Sequence, residues 1–452
     1  MKAIRWLALL LFLVGPVTAG AAELSDLEQL GKHLFFDMNL SVNGTQSCAS
    51  CHAAEVGLTG PDSFVNEAGA VMPGVLEDRF GNRKPPSAAY GGDSQPLYYD
   101  EDAGGWFGGM FWDGRATGWT LGDPLAEQAM GPFLNPLEMG MPHARQVCIR
   151  VANASYADLF QLVWGPLSLD CINDVAGAYE RIALSIAAYE KSTEVNPFTS
   201  KFDLFWDNAE AVGKDVTKIS FGNMMNPNRW QNYAGLGLTS AELQGLAAFN
   251  DPNRGDCARC HSLAPGTEGY PLFTDFSYWN IGVPKNPENP FYFMPRKWNP
   301  DGADWVDTGL GGFLKSAGYA PGDYEPEMGK FKTPTLRNVD LRPPGDFVKA
   351  YGHNGFFKSL EEIILFYTWR AHMEACAGGG CGGMGGGGGG MGGGGMGGGG
   401  GGMMPDPNLF PPPEVSKNLE TLNFSMMMGQ AMMDQANILA FLKTLSDGYE
   451  AP

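Results

Sequence analysis

Two short segments of the sequence combine two cysteines and a histidine at the same spacing, Cys-x-x-Cys-His. The motif residues are Cys48, Cys51 and His52 in the first segment and Cys257, Cys260 and His261 in the second. This spacing is typical of c-type haem attachment, in which both thiols form thioethers with the haem and the adjacent histidine ligates the iron. The sequence therefore predicts two covalently bound haem c groups, with His52 and His261 as their proximal ligands.

The first 22 residues have the pattern of a secretory signal peptide, with basic residues, an apolar run over 6–14 and small residues near Ala21 and Ala22. No later stretch reaches the roughly 18 apolar residues that span a bilayer. We expect an exported, periplasmic chain that does not span the membrane, and a retained N-terminal anchor is the alternative. The formal charge of −20 argues against nucleic acid and favours a basic or neutral partner.

The other four cysteines form two pairs that lack the histidine pattern of a zinc site. The pairs are Cys148 with Cys171 and Cys376 with Cys381. Because an exported chain enters an oxidising compartment, disulfides are favoured for both pairs. A bridge in the first pair would close a loop of about two dozen residues and stabilise the fold by roughly 3 kcal/mol in the entropic model.

Each haem-attachment motif follows a segment with helical spacing and a capping box. Residues 24–36 begin with Ser25 and Glu28, and residues 239–249 begin with Thr239 and Glu242. In both segments leucines recur on one helical face, which predicts an amphipathic helix. The repeated order of helix, attachment loop and later helices indicates two cytochrome c-like units.

The expected fold is mainly α, with two cytochrome c-like domains, each holding one c-type haem, and long irregular loops. Further helices are predicted over 174–190, 360–372 and around Ile438 to Leu445. After the signal peptide over 1–22, the predicted divisions are an N-terminal domain over 23–195, a connecting segment over 196–236 and a C-terminal domain over 237–452.

Residues 377–404 form an insert of nearly pure glycine and methionine. Such a composition cannot bury enough apolar surface to order itself, which favours a flexible loop inside the C-terminal domain. Methionine thioethers that gather copper(I) are the alternative, and they would suit a copper-handling protein.

Six stretches follow one another along the chain in a specific order. They are LGKHLFFDMNLSVNGTQSCASCH (30–52), FWDGRA (111–116), EQAMGPFLNPLEM (127–139), GDCARCH (255–261), FKTPTLRNV (331–339) and YGHNGFFKSLEEI (351–363). Over most of its mature length the chain resembles the bacterial dihaem cytochrome c peroxidases and their MauG relatives. The resemblance implies that the N-terminal domain is peroxidatic and that the C-terminal domain transfers electrons.

The resemblance also implies a peroxide pocket at the first haem, built by Gln128, Pro132 and Glu138. A carboxylate at this place could move a proton between the two oxygens of hydrogen peroxide, the amide could orient the peroxide, and proline offers no competing donor. A solvated surface carboxylate is the alternative for Glu138. Trp112 in FWDGRA matches the tryptophan that lies between the haems in the family and is proposed to relay electrons, and it could equally be a core aromatic.

The distal ligand of the first haem is expected to be absent. Many dihaem peroxidases hold a histidine there at rest, but this chain has none between His52 and His143, and His143 lies beyond Glu138. The resemblance therefore implies a first haem that is open without reductive activation, as in MauG. Met72 and Lys84 are the alternative ligands.

The distal ligand of the second haem is expected to be Tyr367, which stands where the peroxidases have methionine and MauG-like members have tyrosine. Tyr367 also shares a helical face with three apolar residues, Leu360, Ile363 and Ile364. An axial methionine raises a haem's potential, whereas a phenolate stabilises the ferric state. His372 and Met373 are the alternative ligands, and Tyr367 could also simply pack in the core.

Two further features come with the resemblance. Arg337 and His353 fall in motifs near the second haem, where a cation can pair with the haem propionates. The family also has a calcium ion between its domains, but this chain reads NRKPPS there, with Lys84 nearest to the expected ligand and Asn82 displaced. Calcium therefore stays open.

The function expected from these features is peroxide reduction at the first haem, with electrons supplied or stored through the second haem and Trp112. The partner would be a small periplasmic electron donor, such as a cytochrome or copper protein, or an oxidisable protein or small molecule. A non-catalytic dihaem electron carrier is the alternative, and it predicts two six-coordinate haems.

Overall fold

The computed structural model describes residues 23–377, 406–424 and 428–451. The predicted signal peptide, Cys381 and nearly all of the Gly/Met insert lie outside these residues. The helices are α1 (Asp26–Phe36), α2 (Ser63–Glu67), α3 (Pro124–Leu134), α4 (Ala144–Ala152), α5 (Ala157–Trp164), α6 (Val175–Lys191), α7 (Lys201–Ala211), α8 (Ser240–Asn250), α9 (Gly309–Ser316), α10 (Pro321–Tyr324), α11 (Leu360–Ala377) and α12 (Met428–Leu442). The strands are β1 (Tyr98–Asp100) paired with β2 (Gly105–Phe107), and β3 (Tyr278–Trp279) paired with β4 (Phe331–Lys332), both antiparallel.

The two predicted capping boxes are confirmed. Ser25 caps α1 and exchanges hydrogen bonds with Glu28, and Thr239 caps α8 and exchanges them with Glu242. Each box satisfies N–H groups that the first helical turn leaves without partners. Both helices therefore begin where the sequence predicts.

Each capped helix crosses a later helix at a glycine. A Cβ at Gly31 of α1 would lie 1.9 Å from the carbonyl oxygen of Ser185 in α6, and one at Gly245 of α8 would lie 1.9 Å from that of Asn437 in α12. Only glycine allows backbones to approach so closely. The same helix crossing therefore occurs in both halves.

A short 3₁₀ turn after each of these helices carries the haem-attachment cysteines. The turns span Cys48–Ser50 and Cys257–Arg259. In both, the backbone N–H of the motif histidine donates to the carbonyl of the first cysteine. The tight turn places both thiols and the imidazole on one short piece of backbone.

Two large apolar cores surround the two attachment turns. The first is built mostly from residues between Leu30 and Val195, and the second from residues between Phe202 and Leu445. The segment over 196–236, predicted to connect the domains, contributes α7 and Tyr233 to the second core. The division into domains stays a prediction.

Three further observations concern the helices and cysteines. Helix α11 continues to Ala377, beyond the predicted end at His372. The predicted disulfide between Cys148 and Cys171 is present, with a Cα–Cα distance of 5.6 Å. Within the described ranges, no helix is both long and apolar enough to cross a membrane.

Candidate active site

The first attachment turn presents a neutral imidazole to a cavity. The Nδ1 atom of His52 lies 3.0 Å from the carbonyl oxygen of Leu58, so Nδ1 is the protonated nitrogen and Nε2 carries the lone pair. Burial lowers the pKa of His52. A neutral histidine held through Nδ1 by a backbone carbonyl is the usual state of an iron ligand.

The second attachment turn repeats this arrangement. The Nδ1 atom of His261 lies 2.9 Å from the carbonyl oxygen of Phe273, and burial lowers the pKa of His261 to about 4. Burial also raises the pKa of Cys51 and of Cys260 to about 12. Each turn therefore holds two thiols beside a neutral imidazole, which is the set that thioether attachment of haem requires.

The first cavity brings together the residues that the sequence predicts for peroxide chemistry. Its volume, including the part open to solvent, is about 990 Å³. Its wall contains Cys48, Cys51, His52, Gln128, Pro132 and Glu138. The proposed distal residues and the proposed iron ligand therefore share one cavity.

Helix α3 and the turn after it position the three distal residues. Gln128 and Pro132 are four residues apart, which places both on one face of α3. Since proline has no N–H, the helical bond to the carbonyl of Gln128 is missing. Glu138 follows in a turn in which its N–H donates to the carbonyl of Asn135 at 3.1 Å. Burial raises the pKa of Glu138, although Arg115 opposes the shift.

Trp112 lies in the wall between the two cavities. The buried indole lines both cavities, as do Lys84 and Pro86. Its Nε1–H donates to the carbonyl of Lys84 at 2.8 Å, and its ring meets that of His353 edge-on with centroids 6.5 Å apart. Trp112 therefore bridges the two sites while being packed as a core residue.

The second cavity receives Tyr367. Its volume, including the part open to solvent, is about 1840 Å³, and its wall contains Cys257, Cys260, His261 and Tyr367. Burial raises the pKa of Tyr367, and the cysteines nearby raise it further. The alternative ligands His372 and Met373 are not in the wall, and the Nδ1 of His372 is held by the carbonyl of Thr368 at 2.7 Å.

Buried nitrogen atoms without partners test whether this second cavity suits haem. Arg337 binds Asp203 at 2.6 Å through Nη1, but its Nη2 has no hydrogen-bond partner within the described ranges. The Nε2 of His353 also lacks one there. Both residues line the cavity. The Nε2 of His353 lies 4.0 Å from the carboxyl of Glu414, whereas a haem carboxylate would satisfy the free nitrogen of Arg337. The second cavity therefore fits haem.

The possible sixth ligands of the first haem are also placed. His143 is exposed and caps α4 by accepting from the N–H of Gln146, outside the first cavity. Met72 and Lys84 both line that cavity. Lys84 is already engaged, since its Nζ donates to the hydroxyl of Thr59 at 2.7 Å and to the carbonyl of Pro85 at 3.0 Å.

Two neighbouring lysines, Lys84 and Lys349, lie at the NRKPPS segment, where the resemblance implies a calcium ion. The Nζ of Lys349 donates at 2.7–2.9 Å to three carbonyls, those of Val56, Asn338 and Leu341. Burial and the neighbouring Lys84 lower the pKa of Lys349, yet three acceptors match the three N–H bonds of an ammonium. Within the described ranges, no cluster of three or more His, Cys, Asp or Glu could hold a metal ion. The carbonyls at this place therefore already have lysine ammonium groups as donors, and calcium is not shown.

Two features of the site were missed from the sequence. Glu190 lines the first cavity and lies four residues after Ile186 and eight after Ile182. That helical spacing already indicated a carboxyl on a buried face. Arg83 binds Asp113 at 2.6 Å and Asp307 at 2.7 Å beside Trp112. No local pattern indicates that second feature.

Comparison with known proteins relates most of the chain to dihaem cytochrome c peroxidases and MauG proteins. A family model described as di-haem cytochrome c peroxidase matches residues 25–211. The chain is 34% identical over 357 residues to the methylamine utilization protein MauG of Paracoccus denitrificans, covering 78% of this chain and 77% of that protein. It is 27% identical over 352 residues to the cytochrome c551 peroxidase of Nitrosomonas europaea, covering 78% and 75%. The crystal structure of the diheme peroxidase BthA from Burkholderia thailandensis matches with a TM-score of 0.66 at 25% identity, covering 96% of this chain and 89% of that one.

Proposed function

The chain belongs to the family of dihaem cytochrome c peroxidases and MauG proteins, and from this premise we propose that it reduces hydrogen peroxide at the first cavity. It is then an exported, MauG-like peroxidase or oxidase of the periplasm. The observation that carries the proposal is the shared cavity of His52, Gln128, Pro132 and Glu138. Among the residues that the structure describes, the wall of the second cavity contains no glutamine and so lacks this set.

The chain's own residues bind and orient peroxide. Glu138 accepts a proton from one peroxide oxygen and returns it to the other, for which a raised pKa suits a group working near neutral pH. The amide of Gln128 holds the peroxide by hydrogen bonding. Pro132 leaves this contact without a competing N–H donor. Haem, when bound by Cys48, Cys51 and His52, supplies the one-electron chemistry.

In this proposal the haem of the second cavity stores or supplies electrons. Cys257, Cys260 and His261 would hold this haem, and the phenolate oxygen of Tyr367 would be a further ligand of the iron. Arg337 and His353 are proposed to pair with its carboxylates. Trp112 is proposed to relay electrons, because it lines both cavities.

The proposed reductant is a small periplasmic electron-donor protein or an oxidisable substrate protein. The charge of −20 favours a basic or neutral partner by long-range attraction. A non-catalytic electron carrier is the second candidate. One observation favours it, since Met72 lines the first cavity and a methionine ligand would close the first iron.

One experiment separates the two candidates. Electron paramagnetic resonance of the oxidised, haem-loaded protein should give one high-spin and one low-spin ferric signal. Adding one equivalent of hydrogen peroxide should change the optical spectrum without prior reduction. Two low-spin signals with no reaction, before or after adding one electron, would instead support the carrier. A Met72→Leu variant that opens the first haem would identify the closing ligand.

A further inference from the structure

The last turn of α6 carries a carboxyl group into the first cavity. Glu190 is only 3% exposed, and it lines the cavity together with Gln128 and Glu138. Its Oε2 is buried and has no hydrogen-bond partner within the described residues. The mechanism proposed above makes no use of this group.

The surroundings of Glu190 favour its neutral form. An ionised carboxylate buried without a donor costs several kcal/mol, so such a group binds a proton instead. Asp123 at the start of α3 repels a negative charge on Glu190, and Lys191, which would attract one, binds Asp123 at 2.5 Å. The other titratable neighbours, Cys48 and Tyr189, have pKa values raised by burial and are neutral. Burial raises the pKa of Glu190 itself to about 8.

Haem would not supply a hydrogen-bond donor to this carboxyl group. The polar groups that haem brings are carboxylates, which accept hydrogen bonds but donate none, and they would repel the ionised form of Glu190. Gln46 presents another buried oxygen in the same cavity, since its Oε1 has no partner within the described ranges. Two oxygens without donors suit a small molecule with O–H bonds, such as water or hydrogen peroxide.

We propose that Glu190 is a second proton-carrying group of the peroxide reaction and donates its proton to the remaining oxygen, the one that becomes the second water after Glu138 has completed the first. The inference rests on the proposed function. In that reaction the O–O bond of hydrogen peroxide breaks, two electrons come from the reductant, and two protons are taken up, so that two waters form. Glu190 supplies one of these protons and is then reprotonated from solvent, while the second proton comes from solvent directly.

The test uses haem-loaded protein. It measures whether Glu190 is protonated and whether the reaction with peroxide depends on that proton. Infrared spectra near neutral pH should show the C=O stretch of protonated carboxylic acids, and the band of Glu190 should be the part that fades as the pH rises through about 8. Glu190→Gln should remove this band, whereas bands of Glu138 and Glu414, whose pKa values burial also raises, should stay. The matched control Glu194→Gln, at an exposed position three residues after α6, should keep the band of Glu190. Because Gln is nearly isosteric with Glu, the variant should fold. The pH dependence of the band is measured on the wild-type protein and so does not depend on the folding of any variant.

The second measurement is the pH profile of peroxide turnover, with ascorbate added as the source of the two electrons. The rate should fall at high pH as Glu190 loses its proton. Glu190→Gln should be about a hundredfold slower and should lose this falling limb, as expected when a general acid is removed. If Glu190→Gln keeps both the pH profile and the infrared band of the wild-type protein, the role proposed for Glu190 is wrong, while the proposed function of the protein stands. A wild-type protein that does not react with peroxide at any pH would overturn the proposed function as well.

Discussion

The two halves of the molecule hold their attachment turns in the same way but line their cavities differently. In each half a glycine brings two helices together, at Gly31 and at Gly245. In each half a backbone carbonyl also fixes the motif histidine through Nδ1. The first cavity then receives a distal set from α3, whereas the second receives Tyr367 from α11. A shared scaffold thus supports different chemistry, which depends on the far wall of each cavity.

The charged groups of the two cavities overlap in type. The first cavity contains two carboxyl groups with raised pKa values, the buried Glu190 and the half-buried Glu138. The second contains one, Glu414, whose pKa burial raises to about 7, and the buried guanidinium of Arg337, whose Nη2 has no hydrogen-bond partner within the described residues. Carboxyl groups with raised pKa values can hold and move protons near neutral pH, and a guanidinium can bind a carboxylate. The distal set in one cavity and Tyr367 in the other therefore distinguish the two sites better than their carboxyl groups do.

The largest expected effect comes from Glu138→Gln. Losing the proposed base should slow the reaction with peroxide by about a thousandfold, within the range for general acid and base catalysis. Stopped-flow spectroscopy measures this rate, while the low-spin signal of the second haem should stay unchanged. Because burial raises the pKa of Glu138, the wild-type rate should rise with pH as Glu138 loses its proton. A variant as fast as wild type would remove the functional contrast between the cavities.

A large effect on potential is expected from Tyr367→Met. A thioether in place of a phenolate should raise the potential of the second haem by on the order of 0.1 V or more, given the roughly 0.8 V range that axial ligands cover. Spectroelectrochemical titration measures both haems separately. Met373→Leu is the matched control and should shift the potential of neither haem, because Met373 does not line the cavity. An unchanged potential in Tyr367→Met would mean that another residue ligates the second iron.

The shared scaffold is tested by Gly31→Ala and Gly245→Ala. Each added methyl would overlap a carbonyl oxygen of the crossing helix, and overpacking of this kind costs about 1–3 kcal/mol in free energy of unfolding. Gly429→Ala in α12 is the control, because among the described residues nothing outside the helix's own backbone lies within 4 Å of its added methyl and alanine favours helix. Urea unfolding, followed by each haem's spectrum, should show similar losses in the two halves. If only Gly245→Ala lowers the free energy of unfolding, the two halves do not depend on the glycine crossing in the same way.

The sequence predicted the local features of the molecule better than its long-range contacts. The capping boxes at Ser25 and Thr239 depend on residues three apart, so their pattern could be recognised directly. The distal set was identified through family motifs, and the structure brings it into one cavity. The ion pair between Arg83 and Asp307 joins residues 224 positions apart, and no periodicity encodes such a contact. Glu190 is a charged residue on an otherwise apolar face of α6, and that pattern by itself indicates a buried carboxyl group.

The smallest expected effect concerns the lysine between the two halves. Lys349 donates to Val56 beside the first attachment turn and to Asn338 and Leu341 in the second half. Lys349→Met would leave buried carbonyls without a donor, and we expect a loss of about 1–3 kcal/mol in free energy of unfolding. The exposed Lys443→Met should cost less than about 1 kcal/mol, because its ion pair with Glu361 is solvated. If lysine takes the place of calcium, a calcium chelator should change neither the unfolding curve nor the haem spectra of the wild-type protein. A chelator effect as large as that of Lys349→Met would show that a bound cation, and not the ammonium, joins the two halves.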